Sequence, residues 1–377
     1  MELITIDRTN YTTGSIVNDI DSFLWVERYL DPGEFKIVCD PTPALRTQLA
    51  LGTFVSHVDT PEVMIVENHE IKETFGQTPK LEVTGRSLDC FLEKRIVSTT
   101  QSAFNQTTGN AIDYQYNAYP AAQGSYLLNQ FLTGSILYAD NVVPNVNVIV
   151  DTNAPTTPAF QNSIKKGENL AKVVIDILKV GNLGIRFERP MRDKTGTPIH
   201  HYNATTDPNA TKMALYIHTG VDRSGTVSFF YDSGDIKDAR YFWSNKEELN
   251  YIHGSTYYVT WDEKRDGATK TGWDNKTGYV DVTAVNVKPV TLADAAFQQE
   301  AIKQKAQELL ANASQLTLME ATISPNAKYA YRKDYIVGDT VYVVGNYGVS
   351  SKMRVIENVE SQDETGYSSY PTLGSIS

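Results

Sequence analysis

Between Leu81 and Arg95 the chain changes its hydrophobic period, and that change limits what it can fold into. Leu81 and Val83 alternate with Glu82 and Thr84, the two-residue repeat of a strand with one buried face. Immediately afterwards Leu88, Phe91, Leu92 and Arg95 take helical spacing, and Ser87 stands where an N-cap belongs. Gly85 is the expected point of a sharp turn, since it lacks a Cβ, and Arg86 falls at the corner. A strand running straight into a short helix marks the end of a small β domain.

The upstream sequence supplies that domain's other strands. Leu3, Ile4 and Ile6 open one strand, and Phe23-Leu24-Trp25-Val26 is apolar on both faces, as in a fully buried one. Asp31-Pro32-Gly33 is a turn signal, after which Phe35, Ile37 and Cys39 return as the second arm of a hairpin. Val63 to Val66, extended through Ile71, adds another. Residues 1 to about 95 therefore read as one compact barrel or sandwich of short strands closed by a helix.

The composition then shifts. From Ile96 to Ile164 only Asp113, Asp140 and Asp151 are charged, and helical spacing shows only near Tyr126 to Leu137. Two readings stand: a loosely structured surface insertion, or a surface covered by other subunits, since interface cores lose charge and gain Tyr and Phe. Tyr114 to Ala139 has no charge at all, yet its Gln, Asn, Pro and Gly make it too polar to span a bilayer.

Further on, Leu170, Val173, Val174, Ile177 and Leu178 form one face of a helix that Gly181 closes at C′, with a strand at Ile185 and Phe187. Met213 to His218, Thr226 to Tyr231 and Tyr257 to Trp261 alternate as strands. Asp262 to Gly278 reads as a charged hairpin loop before a strand from Tyr279 to Val287. Thr291 caps the clearest helix, with Leu292, Ala295, Ala296, Ile302, Ala306, Leu309 and Leu310 on one stripe. Its heptads are too few for a coiled coil, so it is expected to lie on a sheet. From Thr317 the chain is β again to Val359, and the polar stretch from Ser361 is expected to be a mobile tail.

Catalytic patterns are missing from the sequence. It has no GxGxxG, phosphate-binding loop, HExxH or GxSxG. His200-His201 lies in a loop, where adjacent histidines point apart and suit solvent better than a metal. Asp232, Asp235 and Asp238 lack the ligand spacing of a calcium loop and read as turn formers. Asp262, Glu263, Asp266 and Asp274 resemble paired carboxylates, but a Lys- and Gly-rich loop keeps them solvated and their pKa values ordinary. No cofactor and no metal are expected, and the layout points to a binding or assembly protein.

Charge narrows the partners. The net charge of −11 argues against tight binding to nucleic acid or anionic lipid. Two cysteines, Cys39 and Cys90, fit a reducing compartment, and six Asn-x-Ser/Thr sites mean little without a secretion signal, which the first twenty residues do not show. The 22 tyrosines favour β structure.

Six short motifs come in order: Trp25-x-Glu27-Arg28-Tyr29, Gly33-x-Phe35-x-Ile37, Met64-Ile65-Val66-Glu67, Gly85-Arg86-Ser87-Leu88, Gly220-x-Asp222-Arg223-Ser224 and Gly338-Asp339-x-Val341. Together they resemble the siphophage tail-hub proteins (siphovirus tail or minor structural proteins), which are similar in role to the baseplate hub of contractile-tailed phages. The likeness runs from about residue 3 to about residue 360, with no family pattern in 96–164 or around Gly234 to Asn250. It implies a β-rich α+β fold, with two small β-barrel domains per chain plus helix-bearing α/β insertions, assembling as a ring. The first barrel is then 1–95, the low-charge segment and α/β insertion 96–212, the second barrel 213–290 with 315–377, and the helix 291–314 packs on the barrels.

The same resemblance implies a homotrimer at the distal end of a virion tail, where six similar barrels adapt a hexameric tube to a three-fold tip. Its neighbours would be the ring of the distal tail (tube-end) protein, the tape-measure protein and central tip or fibre proteins. DNA would pass through transiently without specific binding, which an acidic lumen allows, and no membrane is involved. Trp25, Glu27, Arg28, Arg86, Asp222 and Arg223 are the assembly candidates. Arg28, Arg86 and Arg223 are expected to pair with Glu27, Glu67 or Asp222, within or between subunits, rather than face water. Two other functions compete: a tail-associated cell-wall hydrolase, for which the chain beyond Val359 leaves no room, and a receptor-binding module using exposed Tyr and Trp near Tyr257 to Trp273.

Overall fold

The computed structural model describes residues 2–76, 78–97, 114–133, 142–156, 160–164, 167–192, 198–199, 212–244, 246, 248–256, 258–265, 274–281, 292–312, 316–346 and 349–375. The chain divides into two units, Met1–Ala239 with Glu320–Ser377, and Arg240–Met319. His200, His201, Asp266, Thr291 and parts of the low-charge segment (98–113, 134–141 and 157–159) lie outside the described residues.

The first unit begins with β1 (Leu3–Ile6), β2 (Thr13–Val17), β3 (Ile20–Arg28), β4 (Glu34–Cys39), α1 (Pro43–Gln48), β5 (Phe54–His57), β6 (Met64–Lys72) and β7 (Lys80–Ser87). Alternation does its work here. Leu81 and Val83 point into a core with Trp25, Phe35, Ile37 and Met64, while Ile4 and Ile6, on the other face of β1 from Leu3, enter a second core. Each such fully buried side chain is worth about 1.5–3 kcal/mol.

The Leu81–Arg95 stretch departs from expectation at its corner. Gly85 lies inside β7 and makes no turn. It faces Val66 beside a register shift in β6, where an added Cβ would stand 1.8 Å from the Ile65 carbonyl oxygen. Glycine is required there because two backbones approach closely at a bulge. Leu88–Lys94 is a 3₁₀ helix, and the Ser87 side chain makes no capping bond to it. Ser87 Oγ instead accepts from the Gly33 amide at 2.8 Å and donates to Asp89, tying the helix to the β3–β4 turn. Phe91, expected on the apolar face, is exposed.

An α/β layer follows in the same unit: β8 (Tyr114–Ala118), α2 (Pro120–Phe131), β9 (Val146–Val150), β10 (Phe160–Ile164), α3 (Leu170–Val180), β11 (Gly184–Glu188), β12 (Met191–Arg192), β13 (Pro198–Ile199) and β14 (Met213–His218). β14 is central between antiparallel β11 and parallel β9, and all six of its residues are buried. The apolar face of α3 packs on this layer as its spacing predicts. Gly181, expected left-handed at C′, has φ −89°, and Asn182 takes the positive φ of 52°. Gly181 is small for another reason: a Cβ would sit 2.8 Å from Pro120 of α2.

The main sheet is completed by β15 (Ser228–Phe230), β16 (Ile236–Ser244) and, after the second unit, β20 (Leu316–Ile323), β21 (Thr340–Val344), β22 (Ser350–Asp363) and β23 (Gly366–Ser375). Its strand order is β16-β20-β23-β22-β3-β4-β7-β6-β5-β1-β2, with β21 paired to β15 and β22. The path is open between β16 and β2, so no closed barrel forms among the described residues. The expected mobile tail is a strand: β23 pairs with β22 from Gly366 to Ser375, and Pro371, Leu373 and Gly374 are buried. Polarity alone suggests a tail, but the ladder with β22 pairs it along its length.

The second unit holds β17 (Tyr251–Ser255), β18 (Thr260–Lys264), β19 (Thr277–Asp281) and α4 (Leu292–Asn312). β17 pairs antiparallel with β18 and parallel with β19, so β18 and β19 flank β17 and are not the paired arms of the expected hairpin. Ile302, Ala306 and Leu310 of α4 pack on Ile252, Leu249 and Val280. A Cβ on Gly254 would stand 2.1 Å from Ile302, so this helix rests on the sheet only because residue 254 has no side chain. Ala296, counted on the stripe, is exposed, and buried Gln298 accepts a hydrogen bond from Thr256 Oγ1 at 3.0 Å.

Candidate functional site

The sequence motifs meet in the first unit at two places. The first centres on Glu27, which β3 carries into the interior one turn of the pleat beyond Trp25. Glu27 Oε1 accepts from Trp25 Nε1 at 3.2 Å, Thr60 Oγ1 at 3.1 Å and Arg332 Nη2 at 2.6 Å, while Tyr331 donates to Oε2 at 2.5 Å. Arg332 also donates to Glu360 at 2.8 Å, and Tyr367 donates to Glu360. Register places Glu360 opposite Trp25 and Asn358 opposite Glu27, so the β22–β3 pairing delivers the second carboxylate.

Arg332 holds this position with φ 63°, left-handed backbone that a side chain of this size adopts only when its surroundings impose it. Burial alone would raise the Glu27 carboxyl, but the Arg332 and Arg186 guanidiniums and the Tyr331 hydroxyl outweigh it and bring the group to about 2. At nearby Glu62 the balance is reversed: burial, then the Glu27 charge, outweighs the Arg186 and Arg332 guanidiniums and pushes it well above the usual range. Arg186 in turn pairs with Glu188 at 2.7 Å. Burial raises Asp89 to about 6 and lowers His57 to about 3.

The second place joins two motifs that lie more than a hundred residues apart. Gly220, at φ 71°, lies so close to Gly338 that a Cβ would meet its carbonyl oxygen at 2.0 Å. Asp339 is fully buried and accepts from the Val221 amide at 2.8 Å, the Ile336 amide at 3.1 Å and Arg223 Nε at 2.6 Å. Thr340 and Arg223 continue the contact through the backbone. Tyr29, the last residue of the first motif, reaches the same corner. Its ring lies edge-on to His218 at 5.2 Å and under the Arg354 guanidinium at 4.4 Å, beside Gly338 and Gly184.

The six candidates are thus placed as follows. Trp25 and Glu27 are buried within the chain, so any part they take in assembly acts through the elements they hold. Arg86 pairs bidentately with Glu67 at 2.7 and 3.0 Å, one of the expected partners, and also with Glu93. Arg28 pairs with Glu34 and Glu357, not Glu27. Arg223 pairs with Asp339, and Asp222 takes Lys352 at 2.7 Å. Sequence reasoning missed Arg332, Tyr331 and Glu360. Nothing in their local pattern announces them, because they become neighbours only through the β22–β3 register.

These carboxylates and guanidiniums pair with one another. Among the described residues, no group of three or more His, Cys, Asp or Glu side chains is arranged to hold a metal, and no helix is long and apolar enough to cross a membrane. Asp235 accepts from the Phe230 amide and Ser233, as a turn former does. The site is chemically a pair of pins joining early and late parts of the chain.

Comparison with known proteins agrees with that chain-wide joining. The family model of the siphovirus ReqiPepy6 Gp37-like proteins matches residues 5–375. The chain belongs to that family. Three solved structures share its fold: the tail protein from Neisseria meningitidis MC58 (13% identity, 100% of this chain and 97% of that one, TM-score 0.54); the 43 kDa tail protein of prophage MuSo2 from Shewanella oneidensis (12%, 99% and 98%, 0.55); and prophage tail protein gp18 from Listeria monocytogenes EGD-e (10%, 100% and 95%, 0.55). At such identities the likeness is one of fold. No curated protein matches by sequence. The resemblance to siphophage tail proteins drawn from the six motifs therefore holds for the family and the fold.

Proposed function

We propose that this Gp37-like protein is a structural subunit of a siphophage tail, and that three copies form the hub at its distal tip. The observation that carries the reading is the family match over residues 5–375, which takes in the early strands, the late strands and everything between. In this reading the strands before residue 95 and those after residue 213 supply two wall segments per chain, so three chains offer six to a hexameric tube. The hub would stand between the tube-end ring and the central tip proteins, with the tape measure and then DNA passing through it. The net charge of −11 supports passage without retention, since an acidic wall offers phosphate no counterion exchange. Half-buried Arg86 and exposed Asp222, each within a local ion-pair set, are the candidates for contacts with neighbouring copies.

Light scattering of the purified chain is expected to give three chain masses, and negative-stain images rings with three-fold symmetry. A stable monomer at tens of micromolar, unchanged on adding the tube-end protein, would overturn the hub. A zymogram on purified cell wall is expected to stay uncleared, and clearing would favour a hydrolase instead.

A further inference from the structure

The three-stranded sheet of the second unit has one covered face and one open one. Ile252, Gly254, Trp261, Glu263, Gly278 and Val280 alternate with the residues of the open face, and Ile252 and Val280 pack in the α4 core. Register lays the open face out as a grid. Tyr279, His253 and Asp262 are directly opposite one another in the middle row, flanked by Thr277, Tyr251 and Lys264 on one side and Asp281, Ser255 and Thr260 on the other. All nine side chains are hydroxyl-bearing, aromatic or charged, and none is aliphatic.

The middle row is built before any ligand arrives. The His253 and Tyr279 rings lie 6.1 Å apart at an interplanar angle of 25°, a near-parallel, stacked pair. His253 Nδ1 is bonded to Asp262 Oδ1 at 2.6 Å, and the Tyr279 hydroxyl to Ser255 Oγ at 2.7 Å. Tyr251 holds Asp262 as well. Both rings are fixed at their polar edges, and both residues remain exposed, Tyr279 at 60%. An ordinary solvated face has no reason to lock two aromatic rings together or to keep them uncovered.

The chemistry of the face selects among occupants. One Lys beside two Asp gives a phosphate or nucleic acid no cationic cluster to bind. The lack of aliphatic side chains gives an apolar helix nothing to bury. A sugar ring meets both demands: its C–H face lies against the exposed Tyr279 ring, and its hydroxyls donate to Asp262 and exchange hydrogen bonds with Ser255, Thr260 and Thr277. We infer that the open face of β17, β18 and β19 is a saccharide-binding site for pyranose chains with all-equatorial substituents, the flat ribbons of β-linked glucose or N-acetylglucosamine. The inference does not depend on how many copies assemble, so it stands or falls apart from the hub.

The test titrates the full-length chain with chitotriose, cellotriose and maltotriose, read by saturation-transfer NMR and calorimetry. At least one β-linked trisaccharide is expected to bind with Kd of about 1 mM or tighter, and more tightly than maltotriose. Tyr279→Ala and His253→Ala should each weaken that binding about three- to tenfold, the loss of one aromatic contact. Both side chains are on the surface, so the variants should melt with the wild type, and Phe75→Ala, an exposed aromatic in the other unit, should bind unchanged. Failure of both β-linked sugars to bind at tens of millimolar, or binding by Tyr279→Ala equal to wild type, overturns the inference.

Discussion

The Glu27 node and the open sheet face use the same chemical vocabulary to opposite ends. In the first unit Glu27 and Glu360 are buried, Arg332 and Tyr331 are partly buried, and their hydrogen bonds tie distant parts of the chain together. In the second, Asp262 bonds to His253, Tyr279 bonds to Ser255 and stacks on His253, and all three residues stay exposed on the sheet surface. Burial raises the stakes of each bond in the node, because a partner lost there leaves a charge with no water to replace it. Exposure makes the bonds on the sheet weak for stability and free for binding. The same residue types are therefore structural in one unit and available in the other, and only solvent access separates the two roles.

Substitutions separate them in order of effect. Glu27→Ala strands Arg332 and three other donors in the interior, and should cost about 3–5 kcal/mol in a denaturant titration. A cost below about 1 kcal/mol would mean the node is dispensable. Gly220→Ala forces a Cβ against the Gly338 carbonyl at φ 71° and should lower the melting temperature by several degrees. Arg86→Ala breaks a partly exposed ion-pair set and should cost about 1 kcal/mol or less in stability. Its effect is expected in assembly, and rings that form normally from this variant would remove Arg86 from the interface. Tyr279→Ala should leave stability within about 0.5 kcal/mol of wild type, which calorimetry can check.

Acid sharpens the same contrast. Glu27 titrates at about 2 in the fold against an ordinary 4.5, so its contribution is complete above 4.5 and is lost as pH falls towards 2. His57, at about 3 against 6.5, works in the same direction, since the unfolded chain takes up that proton first. Asp89 has the opposite sign. Raised from 3.8 to about 6, it stabilises the fold below 3.8 and loses that contribution as pH rises through 6. The stability difference between Asp89→Asn and wild type should therefore shift in the variant's favour between pH 4 and pH 7. A difference that stays constant over that range would show that Asp89 is not held as a buried acid.

Much of the first unit was legible in local pattern. The alternation at Leu81 and Val83, the Asp31-Pro32-Gly33 turn and the apolar face of α3 all follow from side chains meeting a single core. Gly85 misled because a glycine in a strand and a glycine in a turn look alike until the opposite backbone is known. The tail beyond Ser361 misled for a similar reason: its burial comes from β22, and polarity does not record a partner strand.

The sequence by itself determined the early strands and the apolar face of α3, the lack of a catalytic motif and the ordered motifs that mark the family. Periodicity and turn chemistry act over a few residues, so they can be read without the fold. Tertiary structure alone decided that Glu27 meets Arg332 and Glu360, that Gly220 lies against Gly338, and that Tyr279, His253 and Asp262 form one open row. Those contacts are set by strand register across long stretches of chain, and a shift of one residue would turn each of these side chains to the opposite face.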